Sequence, residues 1–467
     1  MTELAPASGA ADLSSWSRHW SQQWWDPQVH LVHNSAGSFG ELIPARTVHL
    51  TPQSAWVAYG LLGSADPTDH DEADAAIAAL LARQYDAPGA VFHGTFARFG
   101  ESPYPPEEPM MWEDYDPNWR QFVGTTFALM LEDFPERLSD ARQAEMFAAV
   151  ELACEGEVAE GRLGPSYANP ALMHAWLDGW CGRRRGDGAQ TARAERFAAS
   201  IVDRFDRTGA FDEFNSPTYY GVDLYALALW RTFPPTRRFA DDGARLEAAI
   251  WHEAALFHHA GLANFCGPYT RSYGPDATMT VTLIALWIWA AFGRTAAPLP
   301  DIDAENIDHG HDLMAGPLIA RLARPPEAAA DRASFHGFTG DRHIRHELPG
   351  RRLVTAALFD DLMIGAESSE NDWGGWDQFM PAMAHWREED GVGVLWLVDP
   401  RQVLASVRGT VLDLEVQRPG EPGSLDLRIS AESCTVEGAE IRTGGARILI
   451  GGGAVDVGVE QLGARLH

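Results

Sequence analysis

The sequence predicts an α+β chain, with helical hairpins over residues 1–325 followed by an antiparallel sheet domain over residues 326–467. Three observations predict it. Apolar residues recur with a helical period through 71–85, 141–160, 192–205, 240–259 and 276–292. After Ala323-Arg324-Pro325-Pro326 the texture changes to short alternating segments at 352–359, 392–398, 402–412, 424–429 and 446–450, parted by turn signals such as Glu389-Asp390-Gly391 and Pro419-Gly420-Glu421-Pro422-Gly423. Three loops recur about every fifty residues at 164–169, 215–221 and 267–274. Stacked helical hairpins bring such loops to one rim, so their side chains can share a cleft.

Taken in order, Trp16, Trp20, Trp24 and Trp25 keep a helical spacing that suits core packing. Residues 89–100 alternate in part and run into Pro103, Pro105, Pro106 and Pro109, the pattern of an ordered excursion across a helix rim. Asn169-Pro170 and Ser216-Pro217 read as helix starts, because proline fits the first turn where its missing N–H would have no partner. The segment through Trp287 and Trp289 is apolar nearly all round and belongs in the interior of a helical assembly.

At 467 residues there is room for two domains. No lysine occurs, so the 36 basic residues are arginines, which excludes Schiff-base chemistry, pyridoxal enzymes and Walker-type phosphate loops. A lysine-free, alanine-rich usage fits a GC-rich genome better than salt adaptation. The formal charge of -30 disfavours nucleic acid and acidic membranes as partners. Cys154, Cys181, Cys266 and Cys434 lack the paired spacing of a zinc module or disulfide framework, which suits a reducing compartment. Without a secretory start or a long apolar run, the protein is expected to be soluble and cytoplasmic.

The candidate chemistry lies in the loops: Glu213 and Asn215, then Tyr219 and Tyr220, then His258 and His259, then Tyr269, Arg271 and Tyr273. In layout and residue types the chain resembles the toroid-plus-sandwich polysaccharide lyases of the alginate lyase, chondroitin lyase and heparinase II/III group. The resemblance implies an α/α toroid, an incomplete barrel of helical hairpins, over 1–325, an antiparallel β-sandwich over 326–467 and a cleft between them, with neutralisation of a substrate uronate by Asn215 and Arg271 and proton transfer by a tyrosine with a histidine such as His258. Physically, removing a proton beside a carboxylate builds negative charge on it, so donors must face that group. A tyrosine beside an arginine can gain acidity and serve as base, then protonate the leaving oxygen.

Carboxylates support a competing glycoside hydrolase, in which Glu213 and another rim acid, among them Glu113, Asp114, Asp116 and Asp223, flank the bond. A non-catalytic carbohydrate-binding toroid and a dehydratase or isomerase on the same scaffold stay open. Trp112, Asn118, Trp119, Tyr167, Asn169 and His385 are candidate substrate contacts, with Trp373 and Trp376 as further stacking platforms. Arg183, Arg184 and Arg185, with Arg342 and Arg345, are candidates for a basic groove; a short or weakly charged oligosaccharide suits the net charge best. No cofactor and no metal are expected. His252-Glu253 lacks the second histidine of a zinc protease, and Asp308-His309-Gly310-His311-Asp312 reads as a polar loop.

Overall fold

The helical period resolves into two kinds of helix. In the computed structural model, which describes residues 8–34, 47–303, 307–348, 350–369, 378–389, 391–398, 403–416, 426–430, 446–450, 453–457 and 465–466, with side chains up to residue 414, helices are α1 (Ser8–Gln22), α2 (Thr51–Leu62), α3 (Pro67–Leu81), α4 (Trp119–Asp133), α5 (Asp140–Glu160), α6 (Ala168–Arg185), α7 (Gly188–Asp206), α8 (Tyr220–Thr232), α9 (Arg237–Phe257), α10 (Leu283–Phe292), α11 (Gly316–Leu322) and α12 (Ala329–Ser334). α3, α5, α7 and α9 each bury one stripe, as Ala73, Ala76, Ile77 and Leu80 do in α3. α2, α4, α6, α8 and α10 are buried nearly all round. Each buried helix packs on the next buried one, and α2, α4, α6 and α8 each pair with the striped helix that follows. A helix without a polar face can only lie inside.

Local chemistry sets the ends. Ser139 accepts from Arg142 N to start α5, Asp187 accepts from Ala189 N and Gln190 N to start α7, and Gly161 and Gly186 close α5 and α6 in the left-handed region. Residues 276–282, expected as helix, form a loop instead. The Asp276 carboxylate accepts from Thr278 N, Thr278 Oγ1 and Asn264 Nδ2, a turn that delays the helix to Leu283. Arg183, Arg184 and Arg185, candidates for a basic groove, form the last turn of α6, where Arg183 and Arg185 pair with Glu132 and Glu151 and complement the helix dipole. Trp16 and Trp20 stack at 5.5 Å and Trp16 meets Trp289 at 5.7 Å, the core packing their spacing predicted.

Two short hairpins, β1 (Trp25–Asp26) with β2 (Leu31–Val32) and β3 (His258–His259) with β4 (Asn264–Phe265), precede the sheet part. There β5 (Arg342–Leu348), β6 (Arg352–Phe359), β7 (Leu362–Ser368), β8 (Ala382–Arg387) and β9 (Val392–Val398) pair antiparallel in sequence order. β10 (Val403–Arg408) and β11 (Val411–Val416) form a hairpin in a second sheet. β12 (Asp426–Ser430) and β15 (Arg465–Leu466) extend the first sheet, and β13 (Ala446–Ile450) and β14 (Gly453–Val457) the second. The alternation of β6 divides its duties: Val354, Ala356 and Leu358 join Phe214, Phe257 and Leu262 of the helical part, while Ala357 faces Ala405, Val407 and Leu412 of the second sheet. The expected strand at 402–412 is two strands, because Gly409 turns the chain at a φ of 60°.

Polar contacts tie the sheet to the helical part. Arg352, 2% exposed, donates to both Glu367 oxygens at 2.6 and 2.9 Å, to the Asp212 carbonyl at 2.9 Å and to Thr270 Oγ1 at 2.7 Å. Tyr269 and Met380 exchange backbone hydrogen bonds of 3.0 Å. Gly365 lies so near the 267–274 loop that a Cβ there would stand 1.6 Å from the Gly267 carbonyl oxygen.

Cys154 and Cys181, which sequence spacing kept apart, bring their sulfurs to 3.8 Å between α5 and α6. The hydrogen bond with Cys181 and then burial push the Cys154 thiol well above its ordinary range. Buried thiols that stay protonated are poor nucleophiles, so iodoacetamide should leave Cys154 and Cys266 unlabelled in the native protein and label both after denaturation. Peptide mass mapping reads this directly; fast native labelling of Cys154 would contradict the packing.

Candidate functional site

The N-terminal turns of the buried helices open on one cleft. Its volume is about 510 Å³, and it is lined by Thr51 and Gln53 of α2, Asn118 and Trp119 at the start of α4, Tyr167 and Asn169 at the start of α6, Thr218 and Tyr219 before α8, and Leu283 of α10. Free N–H groups and aligned peptide dipoles make this end of each helix electropositive. Trp56, Trp112 and Phe122 add aromatic wall, and Gln378 reaches in from the sheet part.

The three recurrent loops do meet. Glu213, 4% exposed, accepts from Asn169 N at 3.1 Å and from Asn169 Nδ2 at 3.0 and 2.8 Å, and its Oε1 also accepts from Arg271 Nη1. Arg271 Nη2 donates to the Tyr219 hydroxyl at 2.7 Å, and its Nε donates to Gln378 Oε1 at 3.2 Å. The guanidinium carbon lies 3.7 Å from the centre of the Tyr219 ring. Burial opposes the Arg271 charge, but Tyr219 and Glu213 outweigh it and raise the guanidinium's affinity for its proton. The Tyr219 and Tyr273 hydroxyls are 2.7 Å apart.

Burial, and then Tyr273, hold the Tyr219 hydroxyl well above its ordinary pKa against the pull of Arg271, and burial pushes Tyr273 up to about 12. This corrects the expectation that the arginine makes a tyrosine more acidic: desolvation of the phenolate wins. Both hydroxyls carry their protons near neutral pH.

Several expected site residues lie outside the cleft. Asn215 is at the loop junction, but its Nδ2 donates to the carbonyls of Cys266 at 2.7 Å and Pro268 at 2.9 Å, so its amide holds a neighbouring loop instead of facing a substrate. The Tyr220 hydroxyl donates to Glu253 and accepts from Asn215 N at 2.7 Å. The Tyr269 hydroxyl donates to the Phe265 carbonyl at 2.6 Å. His258 is fully buried, packed on Phe335 and Phe265, with Nδ1 3.2 Å from the Ser334 carbonyl. His385 is fully buried with Nε2 2.8 Å from the Pro275 carbonyl. Glu213 sits behind Arg271 and Asn169 and does not line the cleft, which removes it as the carboxyl that a hydrolase would present to a sugar. These side chains face inward because loops crossing a buried helix end must satisfy their own backbone first.

Asn118 donates to the Tyr167 hydroxyl at 3.1 Å and accepts from Arg162 at 2.8 Å, and Trp119 Nε1 donates to the Arg98 carbonyl at 3.1 Å, leaving ring and amide faces on the cleft. Trp112 is 39% exposed with φ of 71°. The candidate platforms Trp373 and Trp376 lie outside the described residues. Arg342 donates to the Ala255 and Leu256 carbonyls and Arg345 is exposed on β5, so neither builds the expected basic groove. Among the described residues, Arg98 and Arg271 line the cleft together with Asp116, Asp308 and Asp312. Burial pushes Asp116 up to about 6 and, with Asp308 adding to it, Asp312 up to about 7.

A family model described as a domain of unknown function, DUF8769, matches residues 11–324. The chain belongs to this family. No curated protein matches it. The DUF8769 segment runs from within α1 to just past α11, and it contains every cleft residue named above except Gln378. Within it, Gln53, Trp56 and Arg98 carried no sequence signal for the cleft, whereas Thr218 lies in the recurrent loop 215–221. The recurrence that exposed Tyr167, Tyr219 and Arg271 has no counterpart at 51–56, where only Pro52 marks a helix start.

A neighbouring network carries a pH signature. Burial raises Glu253 to about 8 in its contact with Tyr220. A carboxyl whose folded pKa lies above its unfolded value stabilises fully below the unfolded value and loses that contribution as pH climbs through the folded one. Glu253→Gln should therefore gain melting temperature relative to the parent protein between pH 5 and 8, by an amount on the order of a few kcal/mol in stability. A pH-independent difference would show that Glu253 is not held neutral.

Proposed function

We propose that this DUF8769 protein is a carbohydrate-active enzyme, an α/α toroid over 1–325 carrying a β-sandwich over 326–467, that cleaves a uronate-linked bond of an oligosaccharide or polysaccharide by β-elimination. The supporting observation is the Tyr219–Tyr273 hydroxyl pair, 2.7 Å apart and hydrogen bonded to Arg271, on the floor of an aromatic-walled cleft. Arg271 and the converging helix starts offer positive potential to a carboxylate, which offsets the charge of -30 at short range. Tyr219 takes the proton beside the carboxylate as its own proton passes to Tyr273, whose proton goes to the leaving oxygen. This relay ends with both phenols neutral and forms no tyrosinate, as two buried hydroxyls of raised pKa require. The charge of -30 suits short oligosaccharides rather than nucleic acid or an acidic membrane surface, the proposed compartment is the cytoplasm, and no described helix is long and apolar enough to cross a bilayer.

Hydrolysis is a second reading, favoured by Asp116, a buried cleft carboxyl raised to about 6 and therefore fit to act as an acid. A panel of uronate oligosaccharides separates the two. Elimination creates an unsaturated uronate that absorbs in the ultraviolet, whereas hydrolysis releases reducing ends without that band. Neither signal, with binding retained, would leave a carbohydrate-binding protein.

A further inference from the structure

The segment 308–312 does more than form a polar loop. His309 takes φ of 54°, which turns its ring onto Tyr273 at a centroid distance of 4.2 Å and an interplanar angle of 15°. The chain then enters a short 3₁₀ turn, Gly310–Ala315, that carries His311 and Asp312 into the same wall of the cleft. One ligand atom from each of His309, His311 and Asp312 lies within 4.8 Å of the others. His311 is 8% exposed and Asp312 7%, and the Nδ1 atoms of His309 and His311 are buried with no hydrogen-bond partner among the described residues. Buried polar atoms are almost always satisfied, so two orphaned imidazole nitrogens beside a buried carboxyl point to an absent partner that accepts their lone pairs.

From this geometry we infer that His309, His311 and Asp312 form a divalent metal site of the zinc class. Two imidazoles and one carboxylate are the donor set of sites that keep a coordination position open. Coordination at about 2.0–2.1 Å would draw the three groups together. The open position faces the cleft beside Tyr273, where water or an oxygen of a bound ligand completes the shell. Asp308, fixed by Thr280 Oγ1 at 2.9 Å, stands next to this group as an outer carboxylate. Sequence spacing alone gave these residues no partner element; the fold supplies a buried wall.

The site is tested by binding, independently of any reaction. Full-length protein stripped with a chelator should bind one equivalent of Zn²⁺ in calorimetry, and Co²⁺ in its place should give visible d–d bands of a four- or five-coordinate ion. His309→Gln, His311→Gln and Asp312→Asn should each weaken binding by about tenfold or more, while His252→Gln, at an exposed histidine, should leave it unchanged. Where a variant fails to fold, the unmodified chain gives the same answer: saturating Zn²⁺ should protect His309, but not His252, from diethyl pyrocarbonate, read by peptide mass mapping. The inference fails if no saturable one-equivalent binding occurs, if binding is indifferent to all three substitutions, or if His309 reacts equally with and without the ion.

Discussion

Tyr219→Phe is expected to lower kcat for elimination by about 10²–10⁴-fold, the range for loss of a positioned proton-transfer group, while leaving substrate affinity within a few-fold. The substitution removes one oxygen that bridges Arg271 at 2.7 Å and Tyr273 at 2.7 Å, and keeps the ring on which the guanidinium rests. Tyr273→Phe should act in the same direction, because it breaks the other end of the relay. The readout is the unsaturated-uronate absorbance on the best substrate of the panel, with circular dichroism to confirm the fold. Activity kept in Tyr219→Phe and lost on substituting Asp116 would overturn elimination in favour of hydrolysis.

The largest stability effect should come from Arg352→Ala, at about 3–5 kcal/mol, the cost of breaking a buried ion pair from one side. The Glu367 carboxylate would stay fully buried without its partner, and the Asp212 carbonyl and Thr270 hydroxyl would each lose a donor. Urea unfolding with intrinsic tryptophan emission measures this. The double replacement Arg352→Met with Glu367→Leu should recover much of the loss, because it removes both charges together. A loss below about 1 kcal/mol in the single variant would mean that water reaches the pair.

How much of this could be read from the sequence depended on which force dominated locally. Amphipathic stripes made α5, α7 and α9 legible to within a few residues, since a period of 3.6 survives in the order of apolar residues. β6, β9 and β13 were legible from their alternation. β5 was not, because its sequence Arg-His-Ile-Arg-His-Glu-Leu shows mostly polar side chains, and its strand state comes from pairing along β6. β8 was hidden too: Ala-Met-Ala-His-Trp is buried on both faces and shows no period of two.

At the site, the loop recurrence placed Asn169, Tyr219 and Arg271 on one rim, and they do gather there, with Glu213, just before the second loop, bridging Asn169 and Arg271. It could not say which side chains turn outward. Asn215 and Tyr220 have the right chemistry, yet they are claimed by backbone carbonyls of a loop more than fifty residues on and by Glu253 of α9, thirty-three residues on, contacts that the order of residues does not reveal. The pair at His309 and His311 was visible as letters, but its burial beside Tyr273 was not.

Gly365 belongs to a strand outside the DUF8769 segment, yet it presses on the loop whose next turn carries Arg271. A methyl group at that strand position would meet the Gly267 carbonyl and push on the loop that carries Arg271, moving a guanidinium that lines the cleft. The aim of that guanidinium can thus be changed from a strand beyond the DUF8769 segment, at a residue that does not itself line the cleft.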